Sequence, residues 1–181
     1  MTGRLIGVVG PSGVGKDSLM RAISEAMPKY GIVRRVITRA PGLGGEDYES
    51  VDATDFALRK AKGAFCIDWQ AHGLWYGIPH STRIRVEAGE VLMVNLSRSV
   101  LTVAAYAFRN FTVLNLTARP EVLEQRLTSR GRESPDDIRD RLNRRAGSLP
   151  AHISVVTIEN NGTLEDTATV ALRHLPTEGA S

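Results

Sequence analysis

A chain of 181 residues with 42% hydrophobic content is long enough for one domain with a real core, and its mixed composition excludes fibrous and disordered classes. Its formal net charge of +3 suits an anionic small-molecule substrate and does not demand nucleic acid. A single cysteine, Cys66, excludes a disulfide framework and a Cys-rich zinc site, and no apolar run reaches the roughly 18 residues of a membrane span, so a soluble, cytoplasmic protein is expected.

The first predicted element, Leu5-Ile6-Gly7-Val8-Val9, reads as a buried strand, and 19–23 reads as a helix. Between them stands Gly10-Pro11-Ser12-Gly13-Val14-Gly15-Lys16-Asp17-Ser18. Strand, glycine-rich turn and helix is the context of a phosphate-binding P-loop. Its backbone amides converge on a phosphate, and the helix that follows adds the positive end of its dipole. Glycines at 10, 13 and 15 let the main chain come close. Lys16 supplies a mobile cation for the β- and γ-phosphates. Where Ser or Thr usually follows Gly-Lys, this chain has Asp17, with Ser18 one residue later. A carboxylate is a hard-oxygen ligand suited to Mg²⁺, so Asp17 is the candidate metal ligand and 10–18 the candidate ATP site.

Met27-Pro28 stops that helix, and a second strand is predicted over 32–36. Residues 38–46 are too rich in Gly and Pro to be regular. A short helix over 56–62 ends at Gly63; strands follow over 65–69 and 74–76, joined through His72-Gly73. A helix over 82–88 closes at Gly89, a strand is predicted over 91–96, a helix over 100–108 and a strand over 111–116. Pro120 suits the first position of a helix reaching 129. The basic turn Arg130-Gly131-Arg132-Glu133 comes next, then a helix opened by Ser134 and Pro135 and running to 146. The last strand is predicted over 153–158, the last helix over 164–175, and 176–181 as a frayed tail.

Alternating strands and helices predict an α/β fold of three layers around a parallel sheet, as one domain over 1–181. The rhythm breaks over 34–85, which is expected to form a lobe for the acceptor, and 130–145 is expected to form a lid. Two arginine groups serve phosphate recognition, where the planar guanidinium fork donates two parallel hydrogen bonds. One is Arg34, Arg35 and Arg39; the other is Arg126, Arg130, Arg132, Arg139, Arg141, Arg144 and Arg145. About half of them are expected to be solvated or paired with Glu124, Asp136 and Asp140. Arg130 and Arg132 sit in the glycine-containing turn itself, and Arg141 shares a helix face with Asp137, Arg144 and Arg145. His72, His80, His152 and His174 lack metal-ligand spacing. Trp69 and Trp75 read as core, whereas Tyr76 at a strand end can donate its phenol to a phosphate.

With these motifs in place, the chain resembles the guanylate-kinase-like branch of the P-loop kinases over nearly its whole length. The likeness is carried by Gly10–Lys16, Thr38-Arg39-Ala40-Pro41 with Gly45-Glu46, Tyr76-Gly77, Arg126-Leu127, Arg130-Gly131, Glu133, Ile138, Arg141-Leu142 and Asn160. The resemblance implies that Arg39 and Tyr76 bind the acceptor phosphate and that the lid arginines contact the transferring phosphoryl group. It places Asn160 and Asn161 near adenine. The guanine-reading positions of guanylate kinases are altered: a Ser there matches Arg35, a Glu matches Ile67, a second Arg matches Gly42, and an Asp-x-Asp matches Met93-Val94-Asn95. A guanine site without its polar readers loses its discrimination.

The sequence is most similar to the ribose 1,5-bisphosphate phosphokinases of bacterial phosphonate breakdown. These share Gly15-Lys16-Asp17-Ser18, Ile37-Thr38-Arg39, Gly73-Leu74-Trp75-Tyr76-Gly77, Val94–Arg98 and Arg130–Glu133. The resemblance implies transfer of a phosphoryl group from ATP, with Mg²⁺, to a small phosphorylated sugar, with no nucleic-acid or membrane partner. Lys16, Arg130, Arg132 and Arg141 are then the expected catalytic residues, and Arg35, Arg39, Glu46, Tyr76, Asn95 and Arg98 the expected substrate-binding residues. A nucleoside monophosphate kinase of altered base choice and a non-catalytic binding module stay open as alternatives. The oligomeric state, a homodimer being one option, is also open.

Overall fold

The computed structural model describes residues 3–42, 46–129 and 148–175. In chain order the elements are β1 (Arg4–Val9), α1 (Lys16–Ala26), β2 (Tyr30–Ile32), β3 (Arg35–Ile37), β4 (Tyr48–Ser50), α2 (Ala53–Ala61), β5 (Phe65–Ala71), β6 (Leu74–Pro79), α3 (Ser81–Glu87), β7 (Val91–Asn95), α4 (Leu101–Ala107), β8 (Phe111–Thr117), α5 (Pro120–Ser129), β9 (Val155–Glu159) and α6 (Leu164–His174). A 3₁₀ turn, Arg98–Val100, leads into α4.

Five strands form a parallel sheet in the order β2-β7-β1-β8-β9. β1 is central and covered on both faces, which is why it reads as an unbroken apolar run rather than an alternation. Ile6, Val8, Met93, Leu114 and Leu116 pack under Leu19, Met20 and Ile23 of α1 and Ala168 and Ala171 of α6. Leu5, Val9, Leu92, Val94 and Val113 pack on the other side with Leu101 and Phe108. Helix, sheet and helix give the three-layer α/β class expected from the sequence.

A second sheet has the order β4-β3-β6-β5, with β3 parallel to β4 and antiparallel to β6. β5 and β6 make a hairpin in which Ala71 pairs Leu74. Its two loop residues, His72 and Gly73, have φ of 52° and 72°. Positive φ at both loop positions matches the twist of a two-residue hairpin. Ile37, Tyr48, Ile67, Trp69, Tyr76 and Ile78 of this sheet belong to the same apolar cluster as Leu5, Val9 and Leu92. The second sheet is thereby seated on the central sheet, on the side opposite α1.

The strand predicted over 32–36 is a correction. The chain leaves the central sheet after Ile32 and Val33, whose amide bonds Met93 O at 2.8 Å, and enters the second sheet at Arg35. Gly31 permits the close pairing, since a Cβ there would lie 2.8 Å from Leu92 Cδ2. β4 falls in a stretch with no strand signal, and its three residues become a strand by pairing with β3. The last strand starts at Val155, two residues later than predicted. α2 starts earlier than predicted because Asp52 caps it, accepting from Asp55 N at 2.7 Å. Among the described residues no helix is long and apolar enough to cross a membrane.

Candidate active site

The carboxyl ends of the parallel strands converge on one rim, where open α/β sheets bind ligands. β1 delivers the turn 10–15 and β7 delivers Asn95. Gly13 and Gly15 have φ of 82° and 92°, a left-handed backbone that a side chain would strain. Gly15 is the N-cap of α1 and offers no side-chain acceptor, so the positive end of the helix faces the turn. Lys16 folds back across the turn, its Nζ donating to Gly10 O at 2.9 Å and Pro11 O at 3.1 Å. Pro11, Ser12, Asp17 and Ser18 are half-buried around it, with Val14 in the core beneath.

Asn160 lies under this loop and is 3% exposed. Its Nδ2 donates to Val14 O at 2.8 Å, its Oδ1 accepts from Thr167 Oγ1 at 2.9 Å, and its backbone N bonds Thr117 O at 2.8 Å. Both ends of the amide therefore face protein groups, and what the geometry gives Asn160 is a hold on the loop. A Cβ on Gly15 would come within 2.9 Å of the same Nδ2, so the two positions fit each other. Thr167 had no signal beyond an ordinary helix position. Removing the clamp leaves Val14 O with only the longer bond from Arg126 Nη1 at 3.5 Å, at a cost of about 1 kcal/mol. Asn160→Ala is expected to raise the KM for ATP about tenfold while changing kcat less, and Asn160→Asp, which sets a carboxylate against a carbonyl, to do worse. ATP titration and initial rates check this.

Asp17 and Asn95 meet beside the loop, Asn95 Nδ2 donating to Asp17 Oδ1 at 3.1 Å. They line a cavity of about 200 Å³ together with Arg21, Arg34, Glu46 and Asp47, over an apolar floor from α1 and β2. Arg21 follows Asp17 by one helical turn on the same face, a spacing the sequence shows. Asn95 orients the carboxylate as an outer partner orients a metal ligand. A carboxylate next to a phosphate-binding turn fits Mg²⁺, which takes one or two carboxylates together with phosphate oxygens and waters.

On the second sheet Arg39 Nη2 donates to Tyr76 Oη at 3.3 Å. The Arg39 guanidinium also lies 5.4 Å from the Tyr48 ring, and the Tyr48 hydroxyl donates to Ala40 O. Ser50 Oγ donates to Arg39 O at 2.5 Å. Thr38 Oγ1 accepts from Trp75 N at 2.8 Å, and Thr38 N bonds Trp75 O at 3.0 Å, so the end of β3 is locked to β6 at the residue before Tyr76. Arg39 and Tyr76, 37 residues apart, are thus brought together as two phosphate-type donors on a fixed backbone.

Other expected ligands are engaged elsewhere. Arg35 is 6% exposed and pairs with Glu46 through two hydrogen bonds, and it does not line the cavity. Arg98 Nη2 donates to Asn115 Oδ1 at 3.0 Å, and Asn115 Nδ2 donates to Thr157 Oγ1 at 3.2 Å. Burial lowers the Arg98 guanidinium below the ordinary arginine value. Arg34 Nε donates to Asp47 Oδ1 at 2.9 Å at the surface. Arg130, Arg132 and Arg141, with the whole stretch 130–145, lie outside the described residues, as does Gly45.

No family model matches the chain. Ribose 1,5-bisphosphate phosphokinase PhnN of Agrobacterium fabrum is 42% identical over 180 residues, 98% of each chain. The chain belongs to the ribose 1,5-bisphosphate phosphokinase family. A second member of that family, from Ruegeria sp., is 47% identical over 163 residues, 90% of this chain and 86% of its own. Among solved structures, guanylate kinase from Anaplasma phagocytophilum superposes with a TM-score of 0.68 at 18% identity, covering 97% of this chain and 88% of its own. At that identity the likeness concerns the fold: this chain shares its architecture with that guanylate kinase.

Proposed function

We propose that this chain transfers the γ-phosphoryl group of ATP to α-D-ribose 1,5-bisphosphate, giving 5-phosphoribosyl 1-diphosphate and ADP in phosphonate catabolism. The observation that carries this reading is the pairing of a P-loop lysine with a second, separate pair of phosphate donors, Arg39 and Tyr76, in a member of this family. One bond forms, from an oxygen of the 1-phosphate to Pγ, and one breaks, between Pγ and the bridging oxygen that leaves with ADP. The attacking oxygen is already anionic at neutral pH, so no general base is required. The task is positioning and charge neutralisation.

The turn 10–15, the first-turn amides of α1 and Lys16 hold the triphosphate. Arg39 and Tyr76 hold the acceptor phosphate, and residues 34–85 form the acceptor lobe. Asp17 holds Mg²⁺, with Asn95 orienting it; when bound, the ion neutralises phosphate charge. Arg130, Arg132 and Arg141 are the candidates to meet the transferring group, and residues 130–145 the candidate lid. Ile67 sits in the core at 2% exposure and offers a base no acceptor, which favours a base-free substrate over a nucleotide. A cytoplasmic location, where ATP is supplied, fits this reading. A coupled kinase assay tests the proposal with ribose 1,5-bisphosphate, ribose 5-phosphate, GMP and AMP side by side. Ribose 1,5-bisphosphate is expected to be preferred by at least about 100-fold in kcat/KM, and a preference for GMP overturns the reading.

A further inference from the structure

The second sheet turns three aromatic side chains toward the central sheet, and none presents an open ring: Tyr48, Trp69 and Tyr76 are 7, 7 and 6% exposed. Trp69 and Tyr76 stack with centroids 5.1 Å apart and planes 8° from parallel. The guanidinium of Arg35 lies beside this pair, 5.2 Å from the Tyr76 ring and 5.9 Å from the Trp69 ring. Glu46 takes the edge of the same guanidinium, Nε to Oε1 at 2.7 Å and Nη2 to Oε2 at 2.5 Å. The two side chains are only 7 and 12% exposed.

A flat group against stacked aromatic rings, with a carboxylate reading its N–H edge, is what a bound nucleobase would be. Here the protein supplies that group itself. A buried ion pair is weak evidence for a stabilising role, because desolvation offsets most of its attraction. Its geometry offers a different role. Glu46 lines the cavity and Arg35 does not, so the pair forms the wall between the cavity and the Trp69–Tyr76 stack.

We propose that the Arg35–Glu46 pair occupies the place of a nucleobase in the acceptor site and restricts that site to base-free sugar phosphates. This rests on the ribosyl phosphate kinase reading above. It recasts both residues, expected to touch substrate, as determinants of specificity. The planar fork of Arg35 is matched to a carboxylate, so the plug is a fixed part of the wall.

Removing Arg35 alone strands Glu46 as a buried charge, so the informative variant is Arg35→Ala/Glu46→Ala, with Arg35→Met/Glu46→Leu as a control that keeps the slot filled. Two readouts are taken in a Trp75→Phe background, which leaves Trp69 as the one tryptophan: the ratio of kcat/KM for AMP and GMP to that for ribose 1,5-bisphosphate, and quenching of the Trp69 fluorescence by AMP or GMP, which reports stacking there without turnover. The double alanine variant is expected to raise the ratio at least about tenfold and to be quenched. Wild type and the Met/Leu control are expected to do neither. An unchanged ratio and no quenching in a double alanine variant that melts cooperatively overturn the proposal, as does quenching of wild type. If the double alanine variant does not fold, Arg35→Ser/Glu46→Gln, which empties the place of the guanidinium and leaves no buried charge, is read by the same quenching, and its absence there counts against the plug. A wild type that ignores ribose 1,5-bisphosphate overturns the kinase reading instead, and the fluorescence arm still decides the plug.

Discussion

Lys16→Ala is expected to lower kcat by about 10³-fold or more, about 4 kcal/mol of transition-state stabilisation, while the fold persists. Lys16 is the cation of the phosphate turn, and charge on the transferring group is where a phosphoryl transferase gains most. Its bonds to Gly10 O and Pro11 O are half-exposed, so losing them costs about 1 kcal/mol and a few degrees in melting temperature. The turn itself is held from below by Asn160 on Val14 O, which the substitution does not touch. Arg at 16 is not expected to rescue, because a planar fork does not replace a compact ammonium in a cramped turn. Rates at saturating acceptor together with a thermal melt check this, and a variant retaining more than about a tenth of wild-type turnover removes Lys16 from the chemistry.

The P-loop was legible because its signal is local: an apolar run, glycines at fixed offsets, a lysine and a helix all lie within 23 residues. The central sheet was legible for a related reason, since a doubly covered strand such as β1 is apolar from Leu5 to Val9. The change of sheet between Ile32 and Arg35 was not legible. Residues 30–37 carry one uninterrupted β-like pattern, and which partner each half pairs with is decided by Leu92 and Met93 on one side and Tyr76 and Gly77 on the other. The arginines show the same limit. The resemblance puts Arg35, Arg39 and Arg98 alike among the expected substrate-binding residues, but Arg35 is taken by Glu46, Arg98 reaches Asn115, and of the three Arg39 donates to the Tyr76 hydroxyl. Ion pairing across 11 residues is a tertiary fact that no residue count contains.

Arg39→Ala is expected to reduce kcat/KM for the acceptor by about 10²–10³-fold, about 3–4 kcal/mol, with the KM for ATP unchanged. The guanidinium and the Tyr76 hydroxyl are 3.3 Å apart and are both donors, so one phosphate oxygen set can accept from each. The backbone survives the change, because Ser50 holds Arg39 O and Thr38 is locked to Trp75, and neither contact uses the Arg39 side chain. What the fold loses is the cation–π contact with Tyr48, worth about 0.5–1 kcal/mol at a half-exposed site. Tyr76→Phe keeps the stack on Trp69 and removes only the hydroxyl, so its loss is expected to be about tenfold. If both groups serve one phosphate, the double variant Arg39→Ala/Tyr76→Phe loses less than the product of the single losses, with a coupling of about 0.5–3 kcal/mol. Arg39→Lys recovers little, since a point charge does not reproduce the fork. Independent, multiplicative losses would mean that the two donors serve different groups, and an Arg39→Ala enzyme within twofold of wild type in acceptor kcat/KM would take the acceptor phosphate away from this pair altogether.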